Sequence, residues 1–599
     1  MIQGETIAHR LVERVKQSGG KPAFFSKTGG KWEPVTWAGH GAAVRELSLG
    51  LRALGIGLGD RVAIFGNTRI EWIQTDQAVL GLGGVTVPIY QSNLPPAAAW
   101  IIQDSESKAV VVENSETLGK IGQVRAGCPG LKYVISMDDS AKGKGEGFLT
   151  LEELRAKGAE FARSRPGAYE NGLAEVKAAG LATIVYTSGT TGNPKGVMLS
   201  HSNIVSELDA LQKCVTAGED DVVLSFLPLA HIFGRVESFA GIQMGWQVYF
   251  AESIEKIADN LTEARPTMMF SVPRIYERVY SKIQAGVAES AVKKALFGWA
   301  IPVGMEASKL RQQGKQPAGL LALQHRLASR IVFSKITSKL GGRLRFAISG
   351  GAPLSRQIAE FFDAVGVKIL EGYGLTETTA ATNVNREEKY KFGTVGPAVP
   401  GAGVKIADDG EILLQGPTVF QGYYRNPEAT AEVLKGGWFY TGDIGELDAD
   451  GFLKITDRKK DLIITAAGKN IAPQNIENLL KTDRHISQVM VFGDRRKYLT
   501  AVIAPNLEEV AKWAQAGGIQ FAEPADLLKN EKVHAFIGGI VEEKNRELAS
   551  YETIKKFILA DRDFSEATGE LTPTLKVKRK VVTELYRPRL DALYDEKFD

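Results

Sequence analysis

Cysteine is nearly absent from this 599-residue chain: only Cys128 and Cys214 occur, far apart and outside any CxxC or zinc-ligand spacing. That excludes a disulfide framework and a thiolate metal centre, and leaves two reduced thiols of the kind found in cytosolic proteins. No run approaches the ~20 apolar residues needed to span a bilayer. The opening Met1–Arg10 lacks the basic start and apolar stretch of a secretory leader. A cytoplasmic protein is expected, soluble or peripheral to the inner face of the membrane. Neither sign of charge dominates: 73 Lys and Arg stand against 70 Asp and Glu, a formal +3. Broad electrostatic binding of nucleic acid, which needs a basic excess, is therefore disfavoured. Internal repeats and low-complexity tracts are also missing. Apolar residues at 44% and charged ones at 24% are ordinary for a globular chain with a sizeable core.

What the chain does carry is alternation. Strand-like runs at Gly59–Phe65, Gly84–Tyr90, Lys108–Val112 and Tyr133–Ser136 are separated by helical pieces. That pattern predicts a layered α/β domain with a largely parallel sheet, whose ligands bind beyond the strand ends. Further strands are expected at Asp221–Pro228, Ala264–Pro273 and Arg343–Ser349, with a helical excursion over 283–339. From Gly393 to Lys454 short β-like runs between Gly, Pro and Asp turns predict a small β subdomain. Beyond the charged Asp457–Asp461 the pattern is that of a compact α+β unit. A boundary in that linker divides a large domain, 1–459, from a small one, 460–599.

One stretch has a distinct chemistry. The run Leu181–Tyr186 reads as a buried strand and breaks into Thr187, Ser188, Gly189, Thr190, Thr191, Gly192, Asn193, Pro194, Lys195 and Gly196. The glycines let the backbone approach a ligand, the hydroxyls and N–H groups donate hydrogen bonds, and Lys195 adds positive charge. Such a loop suits a polyphosphate. It is not a Walker A motif, which needs Ser or Thr after the lysine; here Gly196 follows.

The loop resembles, nearly letter for letter, the phosphate loop of the acyl-adenylating superfamily, which includes acyl-CoA synthetases, peptide-synthetase adenylation domains and firefly-type luciferases. Other blocks of that superfamily follow in order. Leu227–Arg235 is similar to the acyl-site block. Gly350-Gly351-Ala352-Pro353-Leu354 and Gly372-Tyr373-Gly374-Leu375-Thr376-Glu377 are similar to the adenine and magnesium blocks. Tyr440–Asp443 resembles the ribose block, and Asp457-Arg458 the hinge block. The resemblance runs from before Gly59 to Lys576, essentially the whole chain. It implies that Tyr373 offers its face to the adenine, as purines stack well on aromatic rings. Thr376 would meet the α-phosphate, and Glu377, with Thr187, would hold Mg²⁺, for which a carboxylate is a suitable hard ligand. Asp443 and Arg458 would bind the ribose, where a carboxylate can accept from both hydroxyls.

The resemblance also implies a mobile C-terminal domain that turns about Lys460 between two half-reactions, bringing the loop near Gly468 to coenzyme A. Lys576 would neutralise charge during adenylation, although Leu575 stands where the family usually has glycine. His231 would gate or line the acyl and pantetheine sites. The segments Leu227–Arg235, Arg265–Arg278 and Asp457–Pro473 look most like long-chain fatty acyl-CoA synthetases. The reaction implied joins a fatty acid to coenzyme A, turning ATP into AMP and pyrophosphate through an acyl-adenylate. Alternatives are a fatty acyl-AMP ligase loading a carrier protein, or a synthetase for an aryl or medium-chain acid. The apolar Ala295–Val303 is a candidate for contact with a membrane surface.

Overall fold

The computed structural model describes residues 3–187, 193–466, 469–572 and 575–595. Two eight-stranded sheets dominate it. In the first, Leu181–Thr187, Val85–Ile89, Arg61–Phe65, Ala109–Val112, Tyr133–Ser136 and Phe148–Thr150 lie side by side and parallel. In the second, Lys368–Tyr373, Phe346–Ser349, Met268–Ser271, Val222–Ser225, Gln247–Phe250 and Pro22–Thr28 do the same. Helices cover the sheet faces, so the central strands are buried on both sides. This explains why Val62–Phe65 and Val110–Val112 are uninterrupted apolar runs rather than alternating ones.

Two features depart from the simplest reading of the sequence. Pro22–Thr28 and Lys31–Thr36 form a hairpin at the edge of the second sheet, with Phe24 opposite Val248. Its outer strand is largely exposed and carries Lys31, Glu33 and Pro34, so no apolar run marks it. The polyphosphate-type loop also lies within a hairpin, not between a strand and a helix. Thr187 pairs with Lys195 as Leu181–Thr187 runs antiparallel to Lys195–Ser200. The next helix begins only at His201, because Val197, Met198 and Leu199 extend the sheet first.

The two sheets are tied together by a wholly buried cation. Arg235, on the helix Ile232–Met244 that follows a strand of the second sheet, donates at 2.6 Å to Asp76, on the helix Ile70–Gly81, and at 2.6 Å to Thr183, in the first sheet. Gly403–Ile406, Glu411–Gln415, Leu434–Lys435 and Leu453–Arg458 form a small antiparallel sheet built round Trp438–Leu447, while Gly422–Tyr423 joins the first large sheet. The core that begins at Ile7 ends at Leu453, and residues from Ile463 onward pack into clusters of their own. These clusters surround the three-stranded sheet Ile486–Phe492, Leu499–Pro505 and Ile554–Leu559.

Candidate active site

A cleft of about 3600 Å³ opens where the ends of the two large sheets, the small sheet and the C-terminal residues meet. Thr187, Lys195, His231, Gly350, Gly351, Ala352, Gly372, Tyr373, Gly374, Thr376, Glu377, Asp443, Arg458, Lys460 and Lys576 all line it. Residues 188–192 of the polyphosphate-type loop and Gly468 lie outside the described residues. The structure thus gathers into one wall side chains that the sequence spreads over almost four hundred positions.

Tyr373 ends the buried strand Lys368–Tyr373. Its hydroxyl donates to Asp443 Oδ2 at 2.7 Å, which fixes the ring in the cleft wall. Burial and the neighbouring Asp443 carboxylate hold that phenol far above its ordinary range, so it remains a donor. Asp443 in turn faces Arg458 across the small sheet, in register, with Oδ1 3.3 Å from Nε. Both Asp443 oxygens therefore have protein partners, yet each keeps a second lone-pair direction for a ligand hydroxyl.

Immediately after Tyr373 the backbone is tightly folded. A Cβ on Gly374 would stand 1.3 Å from the Ala380 carbonyl oxygen, so only glycine fits. Thr376–Thr378 make a single 3₁₀ turn, after which Thr379 and Ala380 take φ of 57° and 91°. Two consecutive non-glycine residues in this region are a strained arrangement of the kind that accumulates at ligand sites. No motif in the sequence foretold it. The turn presents Glu377, whose Oε1 accepts from the Tyr423 hydroxyl at 2.8 Å. Burial raises the Glu377 carboxyl above its ordinary value, opposed by backbone donation and the Tyr423 bond. Lys195 Nζ lies 5.1 Å from the centre of the same Tyr423 ring. Tyr423 therefore links the lysine of the polyphosphate-type loop to the carboxylate. Sequence reasoning missed it because a Gly-Tyr pair beside an Asn-Pro turn carries no chemical signature.

Among the described residues no group of three or more His, Cys, Asp or Glu could hold a metal by itself. The single carboxylate of Glu377, in a cleft that Thr187 and Thr376 also line, instead suits a Mg²⁺ ion that brings most of its ligands as phosphate oxygens.

His231 caps the helix Ile232–Met244, its Nδ1 accepting from the Phe233 N–H at 3.2 Å. Burial, and Lys576 nearby, lower it to about 4. It is neutral at physiological pH, and with Nδ1 accepting, the proton resides on Nε2. His231 is thus a hydrogen-bond donor rather than an acid. Lys576 reaches the cleft from a tight loop in which its N–H donates to Thr572 Oγ1 at 3.0 Å. Burial and the Arg458 guanidinium bring its ammonium down to about 8, while Asp443 opposes them. Leu575 has φ of 61°, a left-handed conformation that glycine adopts freely and leucine at a cost of about 1–2 kcal/mol. Lys459 bonds Glu411 Oε2 at 2.8 Å and Asp409 Oδ2 at 2.6 Å. The next residue, Lys460, is exposed.

An aromatic wall, a ribose-sized carboxylate–guanidinium pair, a buried metal-type carboxylate and two lysines suit a nucleoside triphosphate, and the apolar lining beyond His231, with Val236, Ala240, Met244 and Phe270, suits a hydrocarbon. Comparison with known proteins agrees. The chain is 38% identical over 571 residues to the long-chain-fatty-acid–CoA ligase FadD15 of Mycobacterium bovis, covering 95% of this chain and 93% of that protein. It is 32% identical to the long-chain-fatty-acid–CoA ligase ACSBG2 of Xenopus laevis over 99% and 84% of the two chains. Among solved structures, the adenylation domain of a carboxylate reductase from Mycobacterium chelonae superposes with a TM-score of 0.79 at 23% identity, over 99% and 91% of the chains. The anthranilate CoA ligase AuaEII does so at 0.74 and 19%, over 98% of each. The family model for the AMP-binding enzyme matches residues 11–424, and that for the AMP-binding enzyme C-terminal domain matches 460–598. With both models matched in order along one continuous chain, this protein belongs to the AMP-binding enzyme family.

Proposed function

We propose that the protein is a long-chain fatty acid–CoA ligase, converting ATP, a fatty acid and coenzyme A to acyl-CoA, AMP and pyrophosphate through an acyl-adenylate. The observation that carries this reading is Lys576, which is brought from the C-terminal part of the chain into one cleft with His231, Asp443 and Arg458. Relatives named for this activity align over nearly the full length.

The fatty carboxylate enters the apolar branch beside His231, whose Nε2–H donates to it. Tyr373 and the Gly350–Ala352 turn hold the adenine, and Asp443 with Arg458 hold the ribose. The carboxylate attacks the α-phosphorus next to Thr376 while Lys195 and its loop retain the departing β- and γ-phosphates. Lys576 neutralises the charge that builds on the transferring group. Positioning and electrostatics are what phosphoryl-type chemistry chiefly requires. Mg²⁺ on Glu377, with Thr187 near by, would supply charge neutralisation at the phosphates. The coenzyme A thiol then attacks the adenylate after residues 460–599 turn against 1–459 about Lys460. This division is supported by the change of core between Leu453 and Ile463.

A membrane-facing surface belongs to the same reading. Between Ile283 and Lys339 nine Lys and Arg stand against two Glu, a net of +7 in a chain of +3. On the helix Gly319–Ala328, Leu320, Leu323 and Leu327 form one stripe that is 70%, 62% and 48% exposed. A basic segment with an exposed apolar stripe suits an anionic lipid surface. No helix among the described residues is long and apolar enough to cross a membrane.

The deciding experiment supplies ATP, Mg²⁺ and coenzyme A with acids from short aliphatic to long-chain and aromatic. AMP release that needs both coenzyme A and a long chain is expected. A preference for aromatic acids would overturn the substrate class, and adenylate formation without thioester would point to a carrier protein as acceptor.

A further inference from the structure

The apolar part of the cleft lining beyond His231 includes two side chains, each with a buried polar atom that no described residue satisfies. The helix Ile232–Met244 turns one stripe toward it: Phe233, Val236, Glu237, Ala240 and Met244, at the i, i+3, i+4, i+7 and i+11 positions of one helix face. Leu211, Val215, Trp246 and Phe270 line the same space. Within this hydrocarbon surface Glu237 is 3% exposed and its Oε2 has no hydrogen-bond partner among the described residues. Ser225 reaches the carboxyl group. Trp246 is 1% exposed, and its indole N–H is likewise without a partner. Trp246 packs against the helix that carries Glu237. Trp246 Nε1 lies 3.0 Å from where a Cβ on Gly241 would stand, and Gly241 is one turn beyond Glu237 on the same helix face, about 5–6 Å between Cβ positions.

Buried polar atoms are nearly always paired, because leaving one unpaired costs its full desolvation. A plain methylene chain passing through this branch could satisfy neither atom. A hydroxyl could satisfy both, donating to the Glu237 carboxyl and accepting from the Trp246 indole. Six residues separate His231 from Glu237, about 9 Å along the helix axis. The group that fits is therefore well down the chain, not next to the reacting carboxylate.

We infer that Glu237 and Trp246 form a polar subsite in the acyl channel that recognises a hydroxyl carried in mid-chain on the fatty acid. This rests on reading the apolar branch as the acyl channel. Burial pushes the Glu237 carboxyl up to about 8, so near neutral pH it is mostly protonated and places no net charge in the channel.

The test compares kcat/KM for palmitic acid with that for monohydroxy derivatives substituted near the carboxylate, in mid-chain and at the terminus. The mid-chain derivative is expected to exceed palmitate by about tenfold, the worth of one or two well-placed hydrogen bonds. The advantage should be confined to a narrow range of chain positions. In Glu237→Leu and in Trp246→Phe the ratio of hydroxylated to plain substrate should fall toward one, and Glu237→Gln should keep part of it. Glu237→Leu should melt close to the parent protein, since loss of the Ser225 bond is set against removal of an unpaired buried oxygen. Ready turnover of palmitate with a flat ratio at every chain position would overturn the subsite, as would a Glu237→Leu ratio equal to that of the parent. Such results are what a trapped water bridging the two groups would give. Failure of every long-chain acid to yield acyl-CoA would instead overturn the ligase reading itself.

Discussion

Lys576 shows how much a side chain's chemistry depends on where it is held. In the sequence it is one of several cations in Lys576-Val-Lys-Arg-Lys580, indistinguishable from a solvated basic run. In the cleft, burial and Arg458 lower it to about 8. The ammonium form is the one that can neutralise phosphate charge, and it is lost as pH rises through the folded value. The kcat/KM for ATP in pyrophosphate exchange should therefore fall above about pH 8, not near 10.5, and Lys576→Arg should move that limb upward. Lys576→Ala should abolish exchange yet still convert supplied acyl-adenylate to thioester, and equal loss of both would remove the residue from the first half-reaction alone. Tyr423 works through another group. Without its hydroxyl, Glu377 loses the bond that orients it. Tyr423→Phe should raise the Mg²⁺ concentration needed for half-saturation severalfold, about 1 kcal/mol, in calorimetric titration of ATP binding; an unchanged Mg²⁺ requirement would dismiss that role. The neighbouring Leu575 departs from the family's glycine, yet the backbone keeps glycine's left-handed φ of 61°. Its side chain packs beside the cluster of Met490, Phe564 and Leu571, a contact that offsets the strain.

Elements buried on both faces were the most legible. Strands such as Arg61–Phe65 and Tyr133–Ser136 lie within a residue or two of where apolar runs predict them, because a central parallel strand must be apolar throughout. The edge hairpin at Pro22–Thr36 was not legible, since one exposed face admits charged and prolyl residues. The linker 457–461 was read as a joint from its charges alone. In the structure it leads into contacts that hold the C-terminal part against the helix Pro273–Ala288. Arg274 donates to Ser487 at 2.8 Å, and Lys481 lies 3.4 Å from Glu277. If Lys460 absorbs the rotation, fixing its φ with proline should leave pyrophosphate exchange within a fewfold of the parent and reduce thioester formation by orders of magnitude. Rapid-quench measurement of the two half-reactions separates these outcomes, and parallel loss would place the hinge elsewhere.

The molecule as a whole joins two large sheets, a small antiparallel sheet and a C-terminal unit around one cleft, and carries its positive charge unevenly. The leucine stripe of Gly319–Ala328 within that basic segment should bind vesicles containing anionic lipid, release at high salt, and bind neutral vesicles weakly. Leu320→Ser with Leu323→Ser should lower the vesicle-bound fraction in sedimentation without changing the melting temperature; equal binding by the double variant would assign the stripe to some other contact. Which residues line the cleft was readable in the sequence because each block is local: a Gly-rich turn, a Thr-Glu pair or a Thr-Gly-Asp carries its chemistry within a few residues. What those blocks do to one another was not readable. The bond from Tyr373 to Asp443, the Tyr423 link between Lys195 and Glu377 and the depressed Lys576 all depend on groups distant in the chain. Their properties arise from burial and from electrostatic partners within a few ångströms, and only the packed chain brings those partners together.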